Sequence, residues 1–272
     1  MPTDTKVMLD GKLCSGHSAR ISPLHEGFLY GHGLFETIKV RDGRPLFLAA
    51  HHARLTASGH ALELPYKLPL DKFRERLLKV ISANSVAHGS AKVTLFNQGE
   101  TLGELITTRE FTYSPETYAR GFRLQTRPTG RRVSGLSGHK TLNYLENIRA
   151  RRAALAAGYD EALFIDTTGE VIEGAGTNLF IVRDGVALTP PLASGPLPGI
   201  ARAQVLALLG PTRAHESLLT HADLLHADEV FVTNALLGVM PVSRIDERAL
   251  PIPQPFTSDL QAAYRTRETQ SL

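Results

Sequence analysis

The dipeptide Asp-Gly stands between short apolar runs three times, at Asp10-Gly11, Asp42-Gly43 and Asp184-Gly185. Both residue types tolerate the left-handed backbone of a two-residue turn, so each occurrence predicts a chain that folds back on itself as a hairpin. Residues 6–9 and 12–14 flank the first turn, and 34–40 and 45–48 flank the second. Further on, 161–166, 171–173, 179–183 and 186–189 are expected as short strands, punctuated by Thr168-Gly169 and Asp184-Gly185.

Helical periodicity interrupts these strands. Leu48, Leu55 and Leu62 fall on one side of a run over 47–61, and Phe73, Leu77, Val80 and Ile81 recur at helical spacing within 70–83. A helix over 143–157 is stopped by Gly158, and Gly199 opens another that runs to 209. Strands are expected at 92–96, 105–111, 122–126, 229–233 and 240–245, and residues 265–272 look like a polar, frayed tail. The sum is a mixed α/β (α+β) chain. The alternation breaks at 115–121, which predicts a smaller N-terminal domain over 1–118 and a larger C-terminal domain over 119–272.

Net charge is +3 with a pI near 9.0, but the cations are scattered, with only short clusters such as Arg131-Arg132 and Arg149-Arg151-Arg152. That argues against a nucleic-acid partner and is compatible with anionic small molecules. Cys14 is the single cysteine, which excludes an intrachain disulfide. No apolar run approaches the length of a membrane span, and residues 1–13 lack the apolar core of a signal peptide, so a cytoplasmic protein is expected. Gly-x-Ser-x-Gly and His-Glu-x-x-His are absent, and neither His51-His52 nor His221 with His226 has familiar metal spacing. No metal is expected.

The chemistry concentrates elsewhere. Lys140 is the only lysine after Val93, in a stretch with sixteen arginines. Arginine can supply charge, but only lysine loses its proton readily enough to attack a carbonyl, so this position points to Schiff-base chemistry. Pro198-Gly199-Ile200-Ala201 marks a loop becoming a helix, where unpaired amides and the helix dipole favour an anion. Glu173 precedes Gly174-Ala175-Gly176, a run of small residues that lets a ligand approach the backbone. That Gly-x-Gly leads into a strand, so it is not a dinucleotide fingerprint. Arg54 on the first helix could donate to a phosphate, and Thr233-Asn234-Ala235 follows a strand end of the kind that often carries sites.

Taken in order, these pieces resemble the fold-type IV family of pyridoxal-phosphate enzymes, the class IV aminotransferase family. The most specific matches are Tyr30-Gly31-His32-Gly33-Leu34-Phe35-Glu36-Thr37, Lys140-Thr141-Leu142-Asn143-Tyr144 and the run from Glu173 to Phe180, completed by the segments at 198–202 and 233–235. The resemblance implies a two-domain fold of the D-amino-acid aminotransferase type, usually a homodimer, with the cofactor lysine on the C-terminal domain. It implies pyridoxal 5′-phosphate bound through Lys140, with Glu173 on the pyridine nitrogen. Arg54, Ile200, Ala201, Asn234 and Ala235 would surround the phosphate, and Tyr144 would approach the 3-oxygen. Among members, the run from Asn234 to Val242 looks most like aminodeoxychorismate lyases. A lyase forming 4-aminobenzoate and pyruvate in folate synthesis is therefore expected. The alternative is a transaminase of D-amino acids, branched-chain amino acids or primary amines. The substrate is then a small amine carrying carboxylates, with Tyr30, Lys92 and Arg109 as its expected contacts and Lys39 as a further candidate.

Overall fold

The structure, a computed structural model, describes residues 5–129 and 133–271, which leaves Arg131 and Arg132 outside it. The chain divides into two compact units. One takes residues up to 112 together with 139–143 and those from 268 on, and the other takes 113–138 and 144–267.

The first unit is built on an antiparallel sheet. The hairpin β1 (Lys6–Leu9) and β2 (Lys12–Ser15) turns at Asp10-Gly11, both with positive φ. After a short helix α1 (Glu26–Leu29), β3 (Gly33–Arg41) turns at Asp42-Gly43 into β4 (Arg44–Pro45). Helices α2 (Leu48–Ala61) and α3 (Leu70–Ala83) follow, then β5 (Gly89–Asn97) and β6 (Leu102–Glu110). Strand order is β2-β1-β6-β5-β3-β4. Leu34, Ile38 and Val40 of β3 and Ala91, Val93 and Leu95 of β5 meet Leu48 and Leu55 of α2 and Phe73, Leu77 and Val80 of α3 in one core. Alternation along the strands therefore sends Phe35, Thr37 and Lys39 to the opposite face of the sheet.

The second unit holds a mixed sheet. Its strands are β7 (Phe122–Pro128), β8 (Glu161–Ile165), β9 (Val171–Gly174), β10 (Asn178–Arg183), β11 (Val186–Thr189), β12 (Ala214–Glu216), β13 (Glu229–Asn234), β14 (Gly238–Ile245) and β15 (Arg248–Ala249). They run in the order β12-β11-β10-β13-β14-β7-β8-β9, with β15 on β14. Strands β7 and β8 are parallel because helix α5 (Leu145–Ala156) carries the chain back between them, and Gly158 leaves that helix with φ of +85°. Helix α6 (Ile200–Leu209) opens at Gly199, and α7 (His221–His226) is capped by Thr220.

Three expectations change. The break at 115–121 is not an open linker: Ser114 caps a helix, α4 (Pro115–Arg120), inside the second unit, and the chain changes units at 112/113 rather than at 118/119. Lys140 is not attached to the C-terminal unit, because residues 139–143 pair with β3 of the first. The polar tail is the end of a sixteen-residue helix, α8 (Pro255–Gln270). Leu260, Tyr264 and Glu268 recur every four residues on its buried side, a stripe whose last member is charged and so escapes a hydrophobicity pattern. Among the described residues no helix is long and apolar enough to cross a membrane.

Candidate active site

Lys140 is held as a strand residue. The Phe35 N–H donates to the Lys140 carbonyl at 2.8 Å, Thr141 bridges to Leu34, and the Leu142 N–H donates to Gly33 at 3.0 Å. A side chain on Gly33 would fall 2.4 Å from the Leu95 carbonyl oxygen and 2.5 Å from Leu142, so glycine is what lets this segment come so close. Lys140 Nζ lies 4.4 Å from the centre of the Phe35 ring. One residue earlier, His139 is hydrogen-bonded to Ser58 of α2 at 2.9 Å.

The same sheet face carries the substrate candidates. Thr37 pairs with Lys92 on β5, and Lys92 with Thr107 on β6, two residues from Arg109. Side chains two apart on a strand share a face, so Lys92 and Arg109 lie on the Phe35 and Lys140 side. Lys39 is there too, but its ammonium is engaged by Glu268 at 2.8 Å, a carboxylate that also binds Arg41. Tyr30 ends α1 outside the sheet and is 71% exposed, in a stretch that also exposes Leu24, Phe28 and Leu29.

Arg54 works on the other side of β3. Its Nε and one terminal nitrogen each bind the buried Glu36 carboxylate at 2.7 Å, and His51 bonds the same carboxylate at 2.7 Å. Burial by itself pushes Glu36 up, but the hydrogen bonds from His51 and Arg54 prevail and hold its carboxyl at about 2. The plane of the Arg54 guanidinium is therefore fixed from one edge.

In the second unit, Glu173 near the end of β9 accepts from the Leu197 N–H at 2.9 Å. The Leu197 carbonyl accepts from Asn178 at 2.9 Å, so one residue is gripped from both sides just before α6. No side chain caps α6 at Gly199. A Cβ there would stand 1.9 Å from Asn178 Oδ1, so the glycine admits Asn178 to the helix start. Ile200 and Ala201 supply the first amides, which a helix leaves unpaired. Thr233, the partner of Asn178 across β10 and β13, buries a hydroxyl that has no hydrogen-bond partner among the described residues. Asn234 donates to the Gly176 carbonyl at 3.0 Å and accepts from the amides of Leu236 and Leu237, so it shapes the turn that carries Ala235. Tyr144 is the half-buried residue preceding α5.

Sequence reasoning missed Glu161. It is buried at the start of β8 and accepts from the amides of Ala162 (2.9 Å) and Gly176 (3.1 Å). Desolvation drives its carboxyl up to about 7, opposed by Arg151 and those amides and aided by the charge of Glu173. The available signal was an acidic residue opening a strand of Ala, Leu, Phe and Ile. Glu36 stood inside a quoted motif, but its partners His51 and Arg54 are visible only in the fold.

Residues 33–245 match the family model for amino-transferase class IV. A Methanocaldococcus jannaschii protein assigned provisionally to the branched-chain-amino-acid aminotransferases is 32% identical over 258 residues, covering 90% of this chain and 89% of the relative. The aminodeoxychorismate lyase of Bacillus subtilis is 28% identical over 263 residues, covering 89% and 87%. Among solved structures, the branched-chain aminotransferase of Thermoproteus uzoniensis with norvaline superimposes with a TM-score of 0.87 at 29% identity, covering 96% of this chain and 93% of that one.

Proposed function

The chain belongs to the class IV aminotransferase family of pyridoxal-phosphate enzymes, and from that premise we propose that it is a lyase converting 4-amino-4-deoxychorismate to 4-aminobenzoate and pyruvate. The observation that carries this reading is the pair Lys92 and Arg109 on the sheet face of Lys140, where Lys39 is already engaged by Glu268. Two cations suit a substrate with two carboxylates.

The residues fit the cofactor. The uncapped start of α6 and the Thr233 hydroxyl, unpartnered among the described residues, are donors of the kind a phosphate needs, and Glu173 is a carboxylate fixed beside that start. Arg54, Ile200, Ala201 and the turn at Asn234 and Ala235 would hold the phosphate, Glu173 the pyridine nitrogen, and Tyr144 the 3-oxygen. When bound, pyridoxal phosphate supplies the aldehyde that captures the substrate amine and an electron sink for the bond being broken. Lys140 removes the proton from the amine-bearing carbon, and the electron pair expels the enolpyruvyl oxygen, so the ring becomes aromatic. Lys92 and Arg109 hold the carboxylates, and Tyr30 would contact the substrate. The exposed Leu24, Phe28 and Leu29 support a homodimer. Placement in the cytoplasm and in folate synthesis belongs to the same proposal.

The test is to supply aminodeoxychorismate and measure 4-aminobenzoate and pyruvate, with Lys140→Ala as control. The similarity to a branched-chain aminotransferase favours a second reading, a transaminase of branched-chain or D-amino acids or primary amines. Rapid conversion of the cofactor to its amine form by L-leucine or D-alanine, with no 4-aminobenzoate produced, would establish that reading and defeat the lyase.

A further inference from the structure

Helix α2 carries a polar stripe beside its apolar one. His51, Arg54 and Ser58 recur at three and four residues, next to Leu48 and Leu55, and so share one side of the helix. Each has a partner outside the helix. His51 and Arg54 hold Glu36 of β3, and the buried Ser58 is hydrogen-bonded to His139 at 2.9 Å. His139 directly precedes Lys140. Arg54 and Lys140, the residues proposed for the phosphate and the aldehyde, are therefore tied to successive turns of one helix.

Each of the two is also held by itself. The Lys140 carbonyl accepts from the Phe35 N–H and the Leu142 N–H donates to Gly33, so backbone bonds on both sides of Thr141 fix this segment along β3. Glu36 fixes the Arg54 guanidinium from one edge. The end of α2 is set as well. The Leu62 N–H donates to the Ser58 carbonyl at 3.0 Å, the Leu62 carbonyl accepts from the His32 ring at 3.1 Å, and a Cβ on Gly59 would stand 2.5 Å from the Leu64 carbonyl oxygen. Ser58 thus stands on a turn that cannot slide along β3 without breaking several of these contacts. Two backbone bonds along one strand edge still leave the Lys140 segment free to twist about that edge, as paired strands do. A third tie off that line, from His139 to α2, fixes the twist.

Resting on the reading of Lys140 and Arg54 as cofactor residues, we propose that Ser58 and His139 are positioning residues whose hydrogen bond sets the separation of Lys140 from Arg54, so that one pyridoxal phosphate meets both. Two groups that bind one ligand gain from acting together only while their spacing matches it. Breaking the Ser58–His139 bond leaves each group in place and spoils the match. The cost falls on pyridoxal phosphate and not on a ligand that uses one group alone.

The experiment compares three ligands on the cofactor-free, full-length protein. Pyridoxal phosphate engages both groups. Inorganic phosphate, as a competitor of its loading, reports the phosphate-binding groups, Arg54 among them. Pyridoxal, trapped by borohydride and located by peptide mapping, reports Lys140. Ser58→Ala and His139→Phe should each weaken pyridoxal phosphate roughly two- to tenfold, the worth of one hydrogen bond, and leave phosphate and pyridoxal near wild type. His139→Asn, whose amide reaches where Nδ1 stands, should bind pyridoxal phosphate like wild type. Unchanged pyridoxal-phosphate affinity in either loss variant, an equal loss for all three ligands, or a His139→Asn no tighter than His139→Phe overturns the proposal. If Ser58→Ala fails to fold, the two His139 variants carry the same test. Borohydride trapping of pyridoxal phosphate in wild type tests the cofactor reading separately. An adduct at Lys140 without the split between ligands defeats only the role of Ser58 and His139, and a missing adduct defeats the reading of Lys140.

Discussion

The Glu173 carboxylate and the Leu197 N–H are joined at 2.9 Å, three residues before α6 begins. This one hydrogen bond ties the residue proposed for the pyridine nitrogen to the loop before the helix start proposed for the phosphate. A shift of either is felt by the other.

Glu173→Gln keeps an oxygen that can accept from Leu197 but loses the charge. Melting temperature should stay close to wild type, and borohydride should still trap the cofactor on Lys140. Turnover should fall by about a hundredfold or more. A variant with near wild-type turnover would remove Glu173 from the reaction.

Gly199→Ala places a methyl group 1.9 Å from Asn178 Oδ1. Asn178 must move, and with it the carbonyl of Leu197. Overpacking of this kind costs about 1–3 kcal/mol, so pyridoxal-phosphate affinity measured by fluorescence titration should weaken roughly tenfold to a hundredfold.

Glu36→Gln leaves Arg54 and His51 without a buried anion. Loss of one partner should destabilise the protein by about 3 kcal/mol at neutral pH. Because folding lowers the Glu36 carboxyl from 4.5 to about 2, its contribution is complete above about 4.5 and disappears as pH falls through about 2. The gap between wild type and variant in denaturant melts should narrow over that interval.

Glu161 has the opposite sign. Its carboxyl is raised from 4.5 to about 7, so its stabilising contribution is complete below about 4.5 and is lost as pH rises through about 7. Wild type should therefore lose ground to Glu161→Gln between these values in paired thermal melts. A constant difference across the interval would mean that the group does not titrate there.

Leu24 and Phe28 are 80% and 68% exposed. If the proposed homodimer uses this patch, wild type should sediment as a dimer and a variant with both replaced by serine as a monomer, with the far-ultraviolet spectrum retained. A monomeric wild type, or a variant that sediments like wild type, would count against this interface.

Much of the fold was legible because its signals are local. The Asp-Gly turns at 10–11 and 42–43 adopt the positive φ that their chemistry favours. Helix α3 covers 70–83 as the spacing of Phe73, Leu77, Val80 and Ile81 predicts, and Gly199 stands at the start of α6. The α8 stripe was not legible, because its last buried member is a glutamate that is apolar neither in type nor in partner.

The sequence by itself determined the hairpins, the helices with an apolar stripe, the glycine at a helix start and the one lysine in a field of arginines, since each depends on residues within a turn or two of one another. Tertiary structure decided that Lys140 pairs with β3, that Lys39 is engaged by a glutamate 229 residues away, and that Glu161 is buried under the turn after Glu173. Those facts rest on pairings between distant segments. A single sequence carries no periodic or turn signal for them, because such partners become neighbours only after the chain has closed its long loops.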